Sequence, residues 1–96
     1  MVRRGRRSSR GPLTLHLVRA EAADVPQVGF VIGKVVGPAV VRNRLRRRLR
    51  HLLRSRLVAL PVGSRLVVRA RPGAGDLDSG ALGALLDAAL PTLVNA

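Results

Sequence analysis

The sequence predicts an α+β fold, a small mixed β-sheet packed by one long basic helix and a C-terminal helix, and three observations carry that prediction. Leu13, Leu15 and Leu17 alternate with Thr14, His16 and Val18, which is strand periodicity. Apolar residues then recur by threes and fours from about Ala39 to Leu60, which is one buried helical stripe. A second leucine-rich helical pattern closes the chain after a loop of glycines and prolines. The order strand, strand, helix, strand, helix then asks for helices laid over a sheet.

The elements follow in order. Residues 1–11, MVRRGRRSSRG, are basic and nearly without apolar side chains, and they read as a mobile arm with a short extended piece around Arg6 to Ser9. Residues 12–96 read as a single α+β domain. Pro12 introduces the first strand, and Asp24 and Pro26 punctuate a turn before QVGFVIG, whose Val28, Phe30 and Ile32 share one face. The short link predicts an antiparallel hairpin between these two strands. Gly37 and Pro38 precede the long helix, where a missing proline N–H costs nothing. Pro61 and Gly63 stop it, and SRLVVRA supplies a third strand, parallel to one neighbour because so long a helix returns the chain across the sheet. Asp78 or Ser79 caps the last helix, which turns Leu82, Leu85, Leu86 and Leu90 inward.

Composition narrows the function. At 96 residues the chain is one small domain, and its 47% hydrophobic content can fill one modest core, which excludes whole-chain disorder. With no cysteine there is no disulfide scaffold and no thiolate metal site. No apolar run approaches the ~18 residues of a membrane span, and the basic N-terminus lacks the apolar stretch of a secretory signal, so a cytoplasmic compartment is expected. The net charge is +13, and residues 1–56 carry all of it, with fifteen of the eighteen cations and two of the five acids. So one-sided a field attracts a polyanion. Nucleic acid is the first candidate, and an acidic membrane surface the second.

The long helix concentrates this charge. On a wheel of about 3.6 residues per turn, Val41, Leu45, Leu49 and Leu52 gather on one side, while Asn43, Arg46, Arg47, Arg50 and Arg54 form a ridge opposite. Arg44 and Arg48 flank the apolar stripe, and Arg42 lies in the first turn. No acid falls between Lys34 and Arg56. A plain solvated face mixes signs for i,i+4 pairing, and this one does not. Arginine binds phosphate with a two-pronged fork and also stacks on bases. Asn43 can read a base edge or a 2′-hydroxyl, and it can equally bond to the early helix backbone. Neither His16 nor His51 has a partner arrangement for acid–base work, and no paired carboxylates suggest hydrolysis. No catalytic or metal-ligating residue is therefore predicted.

Val28 to Arg54, VGFVIGKVVGPAVVRNRLRRRLRHLLR, resembles the signature of the protein subunit of bacterial ribonuclease P. That family has a strand ending in a small residue and lysine, then a glycine, then Ala-Val-x-Arg-Asn-Arg opening a basic helix. The corresponding residues here are Gly33, Lys34, Gly37, Ala39, Val40, Arg42, Asn43 and Arg44, and the resemblance continues from Val2 to the C-terminus. It implies a ribonucleoprotein endonuclease that removes the 5′ leader of precursor tRNA, with Mg2+-assisted chemistry at the RNA subunit and one protein per RNA. It implies that Lys34, Arg42, Asn43, Arg44, Arg46, Arg47, Arg50 and Arg54 bind RNA, and that a sheet cleft receives the leader.

His16 falls where the family often has a leader-facing aromatic, and it is also an ordinary exposed strand position. Phe30, the one aromatic, reads as core. The resemblance further implies a ribosomal protein S5 domain 2-like fold with a left-handed crossover through the basic helix. Two departures stand out. By the resemblance, Val2 to Gly5 are expected to match the last turn of the family's N-terminal helix, the rest of which has no counterpart in these 96 residues, and Gly33 replaces the usual serine. The alternative reading is a ribosomal or general RNA-binding protein, which predicts the same charge without preference for one catalytic RNA.

Overall fold

A computed structural model describes residues 6–19, 27–60 and 63–94. Strands β1 (Arg6–Arg10), β2 (Leu13–Arg19) and β3 (Gln27–Ile32) precede helix α1 (Ala39–Arg56). Strand β4 (Ser64–Ala70) and helix α2 (Ser79–Val94) complete the fold, and short 3-10 turns lie at Lys34–Val36, Leu57–Ala59 and Ala74–Asp76. The four strands stand in the order β1-β2-β4-β3, with β1, β2 and β4 antiparallel in succession and β3 parallel to β4. The mixed sheet with two helices is the predicted class, and the strand after the long helix pairs in parallel as expected.

Within the stretch read as an arm, the short extended piece expected around Arg6 to Ser9 is the edge strand Arg6–Arg10, paired from Arg6 with Leu17 to Arg10 with Leu13 around the Gly11–Pro12 turn. Its sequence RRSSR has no apolar alternation. Backbone pairing holds it instead, together with the buried Ser8, whose hydroxyl bonds to Thr92 of α2 at 3.0 Å. The hairpin between β2 and β3 does not form, because β4 lies between them and takes hydrogen bonds from both. The turn expected at Glu21 to Pro26, and Val2 to Gly5, lie outside the described residues.

One face of the sheet holds the core. Leu13, Leu15 and Leu17 of β2, Leu66, Val68 and Ala70 of β4, and Ile32 of β3 are buried with Leu45, Leu49 and Leu53 of α1 and Leu82, Leu86, Ala89, Leu90 and Leu93 of α2 in a single cluster. Asp78 caps α2 as expected, its Oδ1 accepting from the Ala81 N–H at 2.8 Å. Helix α1 stops earlier than the sequence predicts. Leu60 precedes Pro61 and is therefore held extended (φ −88°, ψ 146°), and the chain before it tightens into a 3-10 turn.

Candidate nucleic-acid interface

The geometry of α1 begins at the turn before it. Lys34 is exposed on the 3-10 turn that follows β3, and Gly37 closes that turn at φ 154°, ψ −175°, a conformation that is essentially glycine's alone. Pro38 then starts the helix with no N–H to satisfy. Arg42 folds back onto this entry, its Nε donating to the Gly37 carbonyl at 3.1 Å. Leu45, Leu49 and Leu53 fix the rotation of α1 by burying in the core, and this turns Asn43, Arg47, Arg50 and Arg54 into solvent.

Two members of this ridge are held in place by neighbours. Arg46 Nη1 donates to Asn43 Oδ1 at 3.0 Å, which occupies the Asn43 oxygen and leaves its amide N–H groups to face a ligand. The Arg50 guanidinium lies 5.7 Å from the centre of the half-buried Phe30 ring, a cation–π geometry. Such ordering reduces the side-chain entropy lost when a phosphate binds.

Arg44 and Arg48 play a different part. Both are half-buried and reach across to the segment before α2: Arg44 Nη2 donates to the Gly75 carbonyl at 3.3 Å and Arg48 Nη1 to the Leu77 carbonyl at 2.8 Å. The segment lies close against α1, for a Cβ on Gly75 would stand only 2.5 Å from Val41 Cγ1. Arg56 makes the third link, its Nε and Nη2 meeting the Asp87 carboxylate of α2 at 2.8 and 3.1 Å. This is the one ion pair among the described residues. The hydrogen bond from Arg56 holds the Asp87 carboxyl below its ordinary range, against the opposing effect of desolvation and with the added attraction of the Arg56 charge, and the same bond raises Arg56.

A second basic surface lies on the face of the sheet turned away from the core. The register aligns Arg7, His16, Val67 and Gly29 in one row and Ser9, Thr14, Arg69 and Val31 in the next, with Val18, Arg65 and Gln27 in a third. Arg7, Arg65 and Arg69 are exposed and His16 is half-buried. The described acids Asp76, Asp78 and Asp87 all lie elsewhere, on the turn before α2 and on α2 itself.

Comparison with known proteins decides what carries these surfaces. The Ribonuclease P family model matches residues 1–94. The ribonuclease P protein component of Streptomyces griseus is 52% identical, over 97% of this chain and 82% of its own. That of Salinispora tropica is 47% identical, over 93% and 79%. The chain belongs to the ribonuclease P protein family. Among solved structures, the ribonuclease P protein of Staphylococcus aureus superposes with a TM-score of 0.81 at 20% identity, covering 95% of this chain and 84% of that one. The Thermotoga maritima ribonuclease P protein gives 0.76 at 22%, over 96% and 84%. At those identities the likeness is one of fold.

As a ribonuclease P protein the chain gathers most of its sequence-predicted residues on one side of α1: Asn43, Arg46, Arg47, Arg50 and Arg54 share the ridge, with Lys34 and Arg42 at its entry. Arg44 stands apart in the clamp on residues 74–77. His16 sits on the open sheet face, separate from the ridge. Sequence reasoning passed over Arg7, Arg65 and Arg69, which join His16 there. The alternation in Ser64–Ala70 was the available signal for two of them, since it sets Arg65 and Arg69 opposite Leu66 and Val68. No group of three or more His, Asp or Glu able to hold a metal ion comes together among the described residues. No described helix is long and apolar enough to cross a membrane.

Proposed function

We propose that this chain is the protein subunit of a ribonuclease P in the cytoplasm, where it binds the catalytic RNA, one protein per RNA, and assists removal of the 5′ leader from precursor tRNA. The observation that carries the reading is the α1 ridge: a line of arginines with Asn43 at its start, facing solvent, without a carboxylate among the described residues to neutralise it. Lys34, Arg42, Asn43, Arg46, Arg47, Arg50 and Arg54 contact the RNA subunit, while Arg44 holds the 74–77 segment that backs the helix. The open sheet face, with Arg7, His16, Arg65 and Arg69, takes the single-stranded leader through its phosphates. Mg2+-assisted hydrolysis belongs to the RNA, and the protein supplies electrostatic neutralisation and orientation.

Direct competition tests this against a general RNA-binding role. With a labelled bacterial ribonuclease P RNA bound, an unrelated structured RNA of equal length should displace it only at much higher concentration. Equal competition by the two RNAs would overturn the reading, because the charge alone would then account for binding.

A further inference from the structure

The sequence around the helix entry, KVVGPAVVR, contains two valine doublets, and the structure splits each one. Val36 packs against the core cluster, and Val41 lies against Gly37 and Gly75. Val35 and Val40 are instead each 74% exposed. Neither has a folding reason to be apolar. A β-branched residue in the first turn of α1 is a poorer helix former than alanine, and a valine this exposed gains little from burial. Isolated surface valines are ordinary, but these two stand five residues apart at the helix entry, bounded by Lys34 on one side and by Arg42 and the ridge on the other. Lys34 adjoins Val35. Val40 stands three, four and seven residues before Asn43, Arg44 and Arg47, so it shares their side of the helix, in line with Asn43 and Arg47 on the ridge.

We propose that Val35 and Val40 form an apolar foot that packs against ribose and base faces of the structured RNA bound by the ridge, supplying a part of the affinity that does not depend on salt. The inference rests on the RNA-binding reading of α1 and adds to it. Charge complementarity selects the occupant. An apolar protein partner would have to be acidic around its rim to approach Lys34 and Arg47, and a second copy of this chain would bring the same cations face to face. RNA offers apolar sugar and base surfaces framed by phosphates, which match valines framed by arginines. The ridge arginines follow the phosphates and release counterions. The valines exclude water from the sugars and bases between those phosphates, a contribution that salt does not screen.

The test compares two double variants of the full chain, Val35→Thr/Val40→Thr and Arg46→Ala/Arg47→Ala, each titrated against a bacterial ribonuclease P RNA over a range of monovalent salt. Threonine keeps the shape and branching of valine and these positions are exposed, so the fold is retained, and an unchanged melting temperature verifies it. The valine variant is expected to bind about three- to tenfold more weakly at every salt concentration, with the slope of log K against log salt unchanged. The arginine variant is expected to flatten that slope by about 1.4–1.8. Wild-type affinity in the valine variant, with the arginine variant impaired, overturns the apolar foot and leaves the RNA-binding reading standing. A change of slope in the valine variant also overturns it, since the valines would then act by displacing the arginines. Sedimentation showing a wild-type dimer that the valine variant dissolves assigns the foot to a second copy and overturns the RNA contact. Loss of specific RNA binding by the wild type overturns the RNA-binding reading itself.

Discussion

Arg47 and Arg48 are adjacent in sequence and identical in charge, and the structure gives them separate work. Arg48 donates to the Leu77 carbonyl at 2.8 Å, holding the entry of α2 against α1, whereas Arg47 is exposed on the ridge. A hydrogen bond from a charged group is worth about 1.5–3 kcal/mol when well buried. Arg48 is only half-buried, so solvent screening brings the expected loss in Arg48→Ala to about 1–2 kcal/mol. For a domain of this size that is a fall in Tm of about 5–15 °C. Arg47→Ala removes the same unit of charge and the same like-charge repulsion, but no bond, and should leave stability within about 0.5 kcal/mol of the parent. In RNA titrations the order reverses. Arg47→Ala should lower the salt slope by about 0.7–0.9 and Arg48→Ala should leave it unchanged. Thermal denaturation followed by circular dichroism, with filter binding on the same preparations, reads both. Equal destabilisation by the two substitutions would refute the division, as would an Arg48→Ala protein that melts with the parent and binds RNA less steeply with salt.

The contact between Gly75 and Val41 makes a second prediction. Gly75→Ala places its Cβ 2.5 Å from Val41 Cγ1, a clash a stiff β-branched neighbour cannot escape cheaply, so urea denaturation should show a loss of about 1–3 kcal/mol. Adding Val41→Ala should recover part of that loss, and a strictly additive pair would contradict the contact. The Arg56–Asp87 pair predicts a weak pH dependence. Because Asp87 is held below its ordinary range in the folded protein, the pair stabilises above the unfolded-state value of about 4 and loses that contribution as pH falls through the lower folded-state value. The Tm of Asp87→Asn should therefore fall slightly below the parent's above about pH 5, with the gap closing toward pH 2. A gap that persists or widens in acid contradicts the assignment.

The elements with strong periodicity were legible in the sequence. The alternation of Leu13, Leu15 and Leu17 gave β2 its inward face, and the leucines from Leu45 to Leu53 fixed which side of α1 meets the core and so which side carries the arginines. The extended form of β1 was legible around Arg6 to Ser9, but its place at the sheet edge was not, because RRSSR carries no alternating apolar signal and its anchorage to α2 comes from Thr92, far along the chain. The position of β4 between β2 and β3 escaped for a related reason. A short link suggests a hairpin, but strand order is decided by where the long crossover deposits β4, and no local signal records that.

At the site, the helical wheel placed Arg44 and Arg48 at the edges of the apolar stripe without showing what lay beside them. Their partners, the carbonyls of Gly75 and Leu77, are 31 and 29 residues away. A charge run read from sequence thus mixed arginines that face solvent with arginines that brace the helix, and only tertiary contacts separate them. The even charge balance of residues 57–96 likewise concealed Arg65 and Arg69. Their acidic counterparts lie on the turn before α2 and on α2, so the open sheet face carries the cations without the acids.

In the proposed function, the arginine ridge of α1 brings this protein to a catalytic RNA and so promotes precursor tRNA cleavage. The most direct measurement is reconstitution with a bacterial ribonuclease P RNA at a magnesium concentration too low for the RNA to act alone, with cleavage of precursor tRNA followed in the presence of the wild-type chain and of Arg46→Ala/Arg47→Ala. The wild type is expected to restore accurate removal of the 5′ leader, and the ridge variant, equally well folded, to need much more protein or magnesium to do so. Absence of stimulation by the wild type, or equal stimulation by the ridge variant across the protein titration, would contradict the proposed function.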